Sequence, residues 1–138
     1  MKRAILHTDG GARGNPGSAG IGAVLEIDGK KHGYKKYIGE GTNNQAEYKA
    51  LILGLEKAKD AGAEEVDCLL DSELVVKQLN KEYRVKDKEL GILFVKVWNL
   101  MQGFKKVTFK HIYREQNKEA DRLVNEAIDA HLSSRGSL

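Results

Sequence analysis

Lys2-Arg3-Ala4-Ile5-Leu6-His7-Thr8-Asp9-Gly10-Gly11-Ala12-Arg13-Gly14-Asn15-Pro16-Gly17 begins as an apolar run and ends in a glycine-rich tract. The first half reads as a β-strand that stops at Asp9, because Gly10, Gly11, Gly14, Asn15, Pro16 and Gly17 break a regular element. A carboxylate is therefore set at the tip of a strand. Residues 20–27 are apolar and β-branched enough for a second strand, Asp28-Gly29 is a hairpin turn, and 31–39 supply a third strand. The chain thus opens as an antiparallel meander.

Over 44–61 the apolar residues Ala46, Ala50, Leu51, Leu53, Leu55 and Ala58 recur with helical period, and Gly62 ends the element. Residues 66–70 form a fourth strand, so the long helix links two strands and part of the sheet is parallel. A short helix follows over 72–80, then a charged irregular segment over 81–88. Residues 89–102 return to helix with Leu90, Leu93, Phe94, Val97, Trp98 and Met101 on one side, which predicts Trp98 in the core. Residues 107–113 alternate as a fifth strand, and Asn117 is placed to cap a last helix carrying Leu123, Val124, Ala127 and Ile128. The expected fold class is α/β, a five-stranded mixed sheet of three antiparallel strands followed by two parallel ones, flanked by helices. Residues 1–132 make a single domain, and 133–138 read as a short polar tail.

Composition narrows the function classes. A chain of 138 residues with 41% hydrophobic and 31% charged residues and one proline is globular rather than disordered or fibrous. Cys68 is the single cysteine, which excludes an intramolecular disulfide, and it lies in the apolar run at 66–70, where a thiol behaves as a small hydrophobe. No apolar stretch approaches the roughly 20 residues that span a bilayer, and Met1-Lys2-Arg3 leads into a strand rather than a signal-peptide core. A cytoplasmic protein with no membrane contact is expected. A net charge of +3 permits a polyanionic partner without demanding one. Gly10 to Gly17 is not a phosphate-binding loop, since no Gly-Lys-Ser/Thr follows and the next element is a strand. His7 reads as a packed strand residue, and His32 and His131 as surface residues.

Four acids stand where elements meet: Asp9 after the first strand, Glu47 on the long helix, Asp71 after the fourth strand and Asp121 on the last helix. Each has a local alternative. Asp9 suits an Asx turn, Glu47 a capping box with Asn44, Asp71 a helix cap, and Asp121 a pair with Arg114 or Arg122. Yet Glu47 shares a face with Leu51, Gly54 and Ala58, and Asp121 lies on the side of Val124 and Ile128. Carboxylates on inward faces need cationic partners. With no His/Cys cluster to suggest zinc, oxygen ligands in this number suit Mg²⁺ or Mn²⁺, and a pair of such ions supports in-line hydrolysis of a phosphodiester.

Four segments carry a resemblance: Thr8-Asp9-Gly10-Gly11-Ala12-Arg13-Gly14-Asn15-Pro16-Gly17, Thr42-Asn43-Asn44-Gln45-Ala46-Glu47, Leu70-Asp71-Ser72 and Asn117-Lys118-Glu119-Ala120-Asp121. In this order they resemble the motifs of type 1 ribonuclease H, and the similarity covers nearly the whole chain. The resemblance implies the ribonuclease H-like fold and a metal-dependent endoribonuclease that cuts the RNA strand of RNA/DNA hybrids, leaving 5′-phosphate and 3′-hydroxyl ends. It implies two Mg²⁺ (or Mn²⁺) ions held by Asp9, Glu47, Asp71 and Asp121, in a monomer. It also places Gly10, Asn15, Asn43 and Asn44 against the hybrid, and Thr42 and Asn80 on phosphates. Glu73 would be a further contact, standing where many members carry Gln. The segment before Glu89 is short and lacks the basic protrusion of the best-known bacterial enzymes, and Lys81, Arg84, Lys86 and Lys88 nearby read either as a solvated surface, the usual role of a charge run, or as phosphate contacts. The pattern is similar to an archaeal-like branch in which Arg stands in for a loop His. Arg114 takes that position, with His111 as the competing helper. That branch includes enzymes that also cut double-stranded RNA. A catalytically weak hybrid-binding module is the reading from another class.

Overall fold

The computed structural model describes residues 2–136. In chain order they form β1 (Arg3–Arg13), β2 (Gly17–Ile27), β3 (Lys30–Gly41), α1 (Asn43–Asp60), β4 (Glu65–Leu70), α2 (Glu73–Leu79), α3 (Lys88–Met101), β5 (Lys106–His111), a 3-10 turn (Arg114–Gln116) and α4 (Lys118–Gly136). The strands lie in the order β3-β2-β1-β4-β5. β2 runs antiparallel to β1 and β3, and β4 runs parallel to β1 and β5, as the hydrophobic pattern predicts.

The first strand is longer than expected. It does not stop at Asp9 but continues through the glycines to Arg13, paired residue by residue with β2 from Asp9↔Gly22 to Arg13↔Ser18. Pairing with β2 fixes the backbone that the glycines would otherwise leave free. The turn itself is only Gly14-Asn15-Pro16, with Gly14 at φ 89. That left-handed conformation favours glycine.

Successive residues of β1 face opposite sides of the sheet. α1, with α3 packed on it, covers one side, and α4 covers the other. On the α1 side a Cβ at Gly10 would stand 2.3 Å from the Ala46 backbone carbon. On the α4 side a Cβ at Gly22 would stand 2.6 Å from the Ala120 carbonyl oxygen. Both helix backbones thus rest directly on strand backbones. The contacts occur one residue before Glu47 and one residue before Asp121, so the absence of two side chains sets how near those acids come to Asp9.

The main core lies under α1, where Leu6, Leu25, Leu51, Leu55, Val66 and Leu70 are buried. Cys68 is among them, and burial pushes its thiol pKa up, in keeping with an inert packing role. α1 is capped by Thr42, whose hydroxyl accepts from Gln45 N at 3.1 Å while Gln45 Oε1 accepts from Thr42 N at 2.9 Å. This capping box displaces the one considered between Asn44 and Glu47, and Glu47 is thereby left without a local role. Trp98 is not core. α3 buries Leu90, Leu93 and Val97, and the ring of Trp98, 41% exposed, lies beneath Lys81 Nζ at 4.6 Å. A helix turns 100° per residue, so packing through Val97 carries Trp98 to the rim. The residues from Ser133, expected as a polar tail, continue α4 as far as Gly136, and Ser137 and Leu138 lie outside the described residues.

Gly22→Ala is expected to cost about 1–3 kcal/mol, because the obstructing atom is backbone and the sheet or α4 must shift. Gly91→Ala, within α3 and with nothing within 4 Å of the added Cβ, is expected to gain up to about 1 kcal/mol. Urea unfolding midpoints at equal m-values check both.

Candidate active site

Asp9 and Glu47 are each only 7% exposed. The amide of Gly10 donates to Asp9 Oδ1 at 2.9 Å and also approaches Glu47 Oε1 at 3.3 Å, so one donor bridges β1 and α1. Asp71 follows the last residue of β4. It is not the cap of α2, since Ser72 Oγ accepts from Val75 N and fills that role. Instead Asp71 Oδ2 accepts from Asn117 Nδ2 at 3.3 Å, and the same nitrogen donates to Thr8 O at 2.9 Å. Asn117, 1% exposed, thus stands at the start of α4 with its side chain turned inward. Its carbonyl accepts from Asp121 N at 3.1 Å. Asp121 Oδ1 lies 3.5 Å from an Arg114 guanidinium nitrogen, while Arg122 pairs with Glu126.

One carboxylate oxygen each from Asp9, Glu47 and Asp71 lie within 4.8 Å of one another. All four acids and Arg114 line a single cleft of about 390 Å³. Such crowding is unfavourable for the protein alone. Burial, with Asp71 and Asp121 nearby, pushes the Asp9 carboxyl up to about 7. Glu47 is raised by burial and then by Asp9. Asp71 is raised by burial and by Asp121, against the opposing effects of the Asn117 hydrogen bond and the Arg114 charge. Glu47 Oε2 is buried with no hydrogen-bond partner. Unmet oxygens and mutually repelling acids fit a divalent cation, and an all-oxygen donor set suits a hard ion such as Mg²⁺, Mn²⁺ or Ca²⁺ better than zinc.

The other residues singled out by sequence fall in three groups. Gly10 and Asn43 line the cleft. Asn15 lies beside them, its Oδ1 accepting from Asn43 N at 3.0 Å, and Asn43 Oδ1 accepts from Ala12 N at 2.9 Å, so the β1–β2 turn is tied to the start of α1. Thr42 caps α1 next to this cluster, and Asn44 is partly exposed in its first turn. Glu73 and Asn80 are engaged elsewhere. Glu73 pairs with Lys77 at 2.8 Å, and Asn80 donates to Phe109 O at 3.1 Å. His111 ends β5 with its ring edge-on to Tyr113 and does not line the cleft, whereas Arg114 does. Sequence reasoning gave Asn117 only a capping role and passed over Arg13 and Asn125, which also line the cleft. Carrying the alternation of β1 past Gly10 puts Asp9, Gly11 and Arg13 on one face, and that signal was in the sequence.

Comparison with known proteins agrees with this geometry. Residues 7–127 match the family described as "Reverse transcriptase-like". The N-terminal RNase H domain of Rv2228c from Mycobacterium tuberculosis superposes with a TM-score of 0.93 at 40% identity, covering 98% of this chain and 99% of that one. RNase H1 from Halobacterium salinarum gives 0.90 at 42%, covering 93% and 98%. LC11-RNase H1, solved in complex with an RNA/DNA hybrid, gives 0.89 at 46%, covering 94% and 99%. A sheet of this order closing on a cleft of acids has the ribonuclease H-like architecture that these structures share. The chain belongs to the ribonuclease H family, type 1. It spans 36% of the length of the full mycobacterial relative and 65% of the halobacterial one.

Without metal, the raised Asp9 carboxyl makes the folded state bind more protons than the unfolded chain between about pH 4 and 7. Stability is then highest below the unfolded pKa and falls as pH rises through that window. Thermal melts in chelator are expected to show this loss, and Asp9→Asn to reduce it, with Glu47 and Asp71, raised chiefly by their own burial, still contributing. Added Mg²⁺ is expected to raise the melting temperature more at pH 8 than at pH 5.5, because cation binding needs the deprotonated acids.

Proposed function

We propose that this chain hydrolyses the RNA strand of RNA/DNA hybrids as a monomer, with Asp9, Glu47, Asp71 and Asp121 holding two Mg²⁺ or Mn²⁺ ions. The observation that carries the reading is the convergence of four acids, from β1, α1, the end of β4 and α4, on one cleft. Bound divalent ions supply an activated water and offset the charge on the leaving oxygen, which yields 5′-phosphate and 3′-hydroxyl ends.

The chain's own residues supply position and charge. Asp9 and Glu47, fixed by the shared Gly10 amide, form the buried floor of the cleft. Asp71 is oriented by Asn117, and that same residue anchors the turn of α4 that bears Asp121. Arg114 cannot move a proton at neutral pH, so its part is electrostatic, at the Asp121 edge where a phosphate oxygen gains negative charge. The Oδ1 atoms of Asn15 and Asn43 are occupied within the fold, which leaves their NH₂ groups as donors for 2′-hydroxyls and base edges in the wide minor groove of a hybrid. That LC11-RNase H1 was solved with a hybrid supports the same substrate class for this cleft. Activity on double-stranded RNA is a second reading. It is favoured by the segment between α2 and α3, which is irregular over 80–87 and forms no protruding helix.

Asp71→Asn is expected to reduce hybrid cleavage by at least about 10³-fold while leaving hybrid binding within about threefold, since it removes cation-holding charge and not groove contacts. Arg114→Ala is expected to slow turnover less, by about 10–100-fold. Labelled hybrid, double-stranded RNA and double-stranded DNA assayed in parallel with Mg²⁺ and Mn²⁺ test the substrate. Binding of hybrid by the wild type without cutting would establish a binding module instead.

A further inference from the structure

The cleft does not end at the carboxylates. It runs on between the glycine-paired half of β1 and the edge of α4 beside the sheet, past Gly11, Val124 and Asn125, to Arg13. From Asp9 to Arg13 the extended chain covers about 13 Å. From Asp121 to Asp129 the helix rises about 12 Å. The two walls are matched in length over a few nucleotides of a single strand.

At the far end the Arg13 guanidinium is held from α4 on two sides. One terminal nitrogen donates to Asp129 Oδ1 at 2.6 Å and the other approaches Asn125 Oδ1 at 3.3 Å. The ion pair is open to solvent, with side chains 41% and 63% exposed. Pairs of that kind add little stability. What the contacts achieve is posture. A guanidinium has five N–H donors in a planar fork, and two are spent on α4. The remainder stay available at the mouth of a cleft whose floor is otherwise acidic. Of the cleft-lining residues, Arg13 and Arg114 are the cationic ones: Arg114 beside Asp121, Arg13 at the opposite end.

We propose that Arg13, preset by Asp129 and Asn125, is an RNA-strand phosphate subsite a few nucleotides from the scissile linkage, and that it draws the substrate strand along the β1–α4 groove. The inference rests on the hybrid-hydrolase reading above. A polyanion entering a ring of acids needs a fixed cation to align it, and a planar fork suits a phosphate better than a flexible ammonium. Unlike a surface salt bridge, a subsite at Arg13 makes binding depend on one particular phosphate.

The test compares wild type, Arg13→Gln and Arg13→Lys in steady-state cleavage of a hybrid across salt concentrations. Removing one charge-assisted contact is expected to raise KM about tenfold with kcat changed less than about twofold. The slope of log(kcat/KM) against log[salt] should fall by about 0.7–0.9, and Arg13→Lys should restore the slope but only part of KM. Hybrids with a single neutral methylphosphonate walked along the RNA strand then locate the contact. One position should weaken the wild type about tenfold and leave Arg13→Gln unaffected. The subsite is overturned if Arg13→Gln matches wild type in KM and salt slope, or if no methylphosphonate position discriminates the two proteins. Wild type that leaves hybrid uncut at every salt would instead overturn the reading of the whole site, and the subsite with it.

Discussion

Everything in this molecule that bears on chemistry depends on backbone meeting backbone. Two helices cannot usually come within a side chain's thickness of a sheet, yet α1 and α4 do so from opposite sides at Gly10 and Gly22. The acids next in sequence to those contact points, Glu47 and Asp121, are thereby brought to the middle of β1, where Asp9 lies. The glycine-rich tract of β1 is structural before it is functional: it is the surface against which the catalytic distances are set.

That closeness is electrostatically costly. Burial and mutual repulsion raise the proton affinity of Asp9, Glu47 and Asp71, and an oxygen of Glu47 is left without a donor. A fold whose only task was stability would replace such a cluster with apolar residues. Here the acids crowd one edge of an apolar core that runs from Leu6 through Leu55 to Leu70, and it is burial of that core that stabilises the fold.

Much of this was legible from sequence because the relevant signals are local. Helical period in α1 and α4, the apolar run of β4, alternation in β5 and the Asp28-Gly29 hairpin each depend on near neighbours, and the mixed character of the sheet followed from them. The four acids were legible because each sat on an inward face or at an element end. What was missed depends on contacts distant in sequence. β1 runs through its glycines because β2 pairs with it. Trp98 is at the rim because α3 docks through Val97. Asn117 looked like a cap because nothing in its neighbourhood discloses Thr8 and Asp71, which are 109 and 46 residues away. Asn80 likewise bonds to Phe109 O, 29 residues away, a contact that its own neighbourhood does not disclose.

The Asn117 amide has a consequence for the life of the chain before it is fully folded. Because one buried side chain joins the strand bearing Asp9, the carboxylate of Asp71 and the turn bearing Asp121, the hydrolytic centre is assembled only when the last helix has docked on the first strand. A nascent or half-melted copy with α4 undocked therefore lacks the fourth acid of the cleft, and the complete set of carboxylates belongs to the finished fold alone.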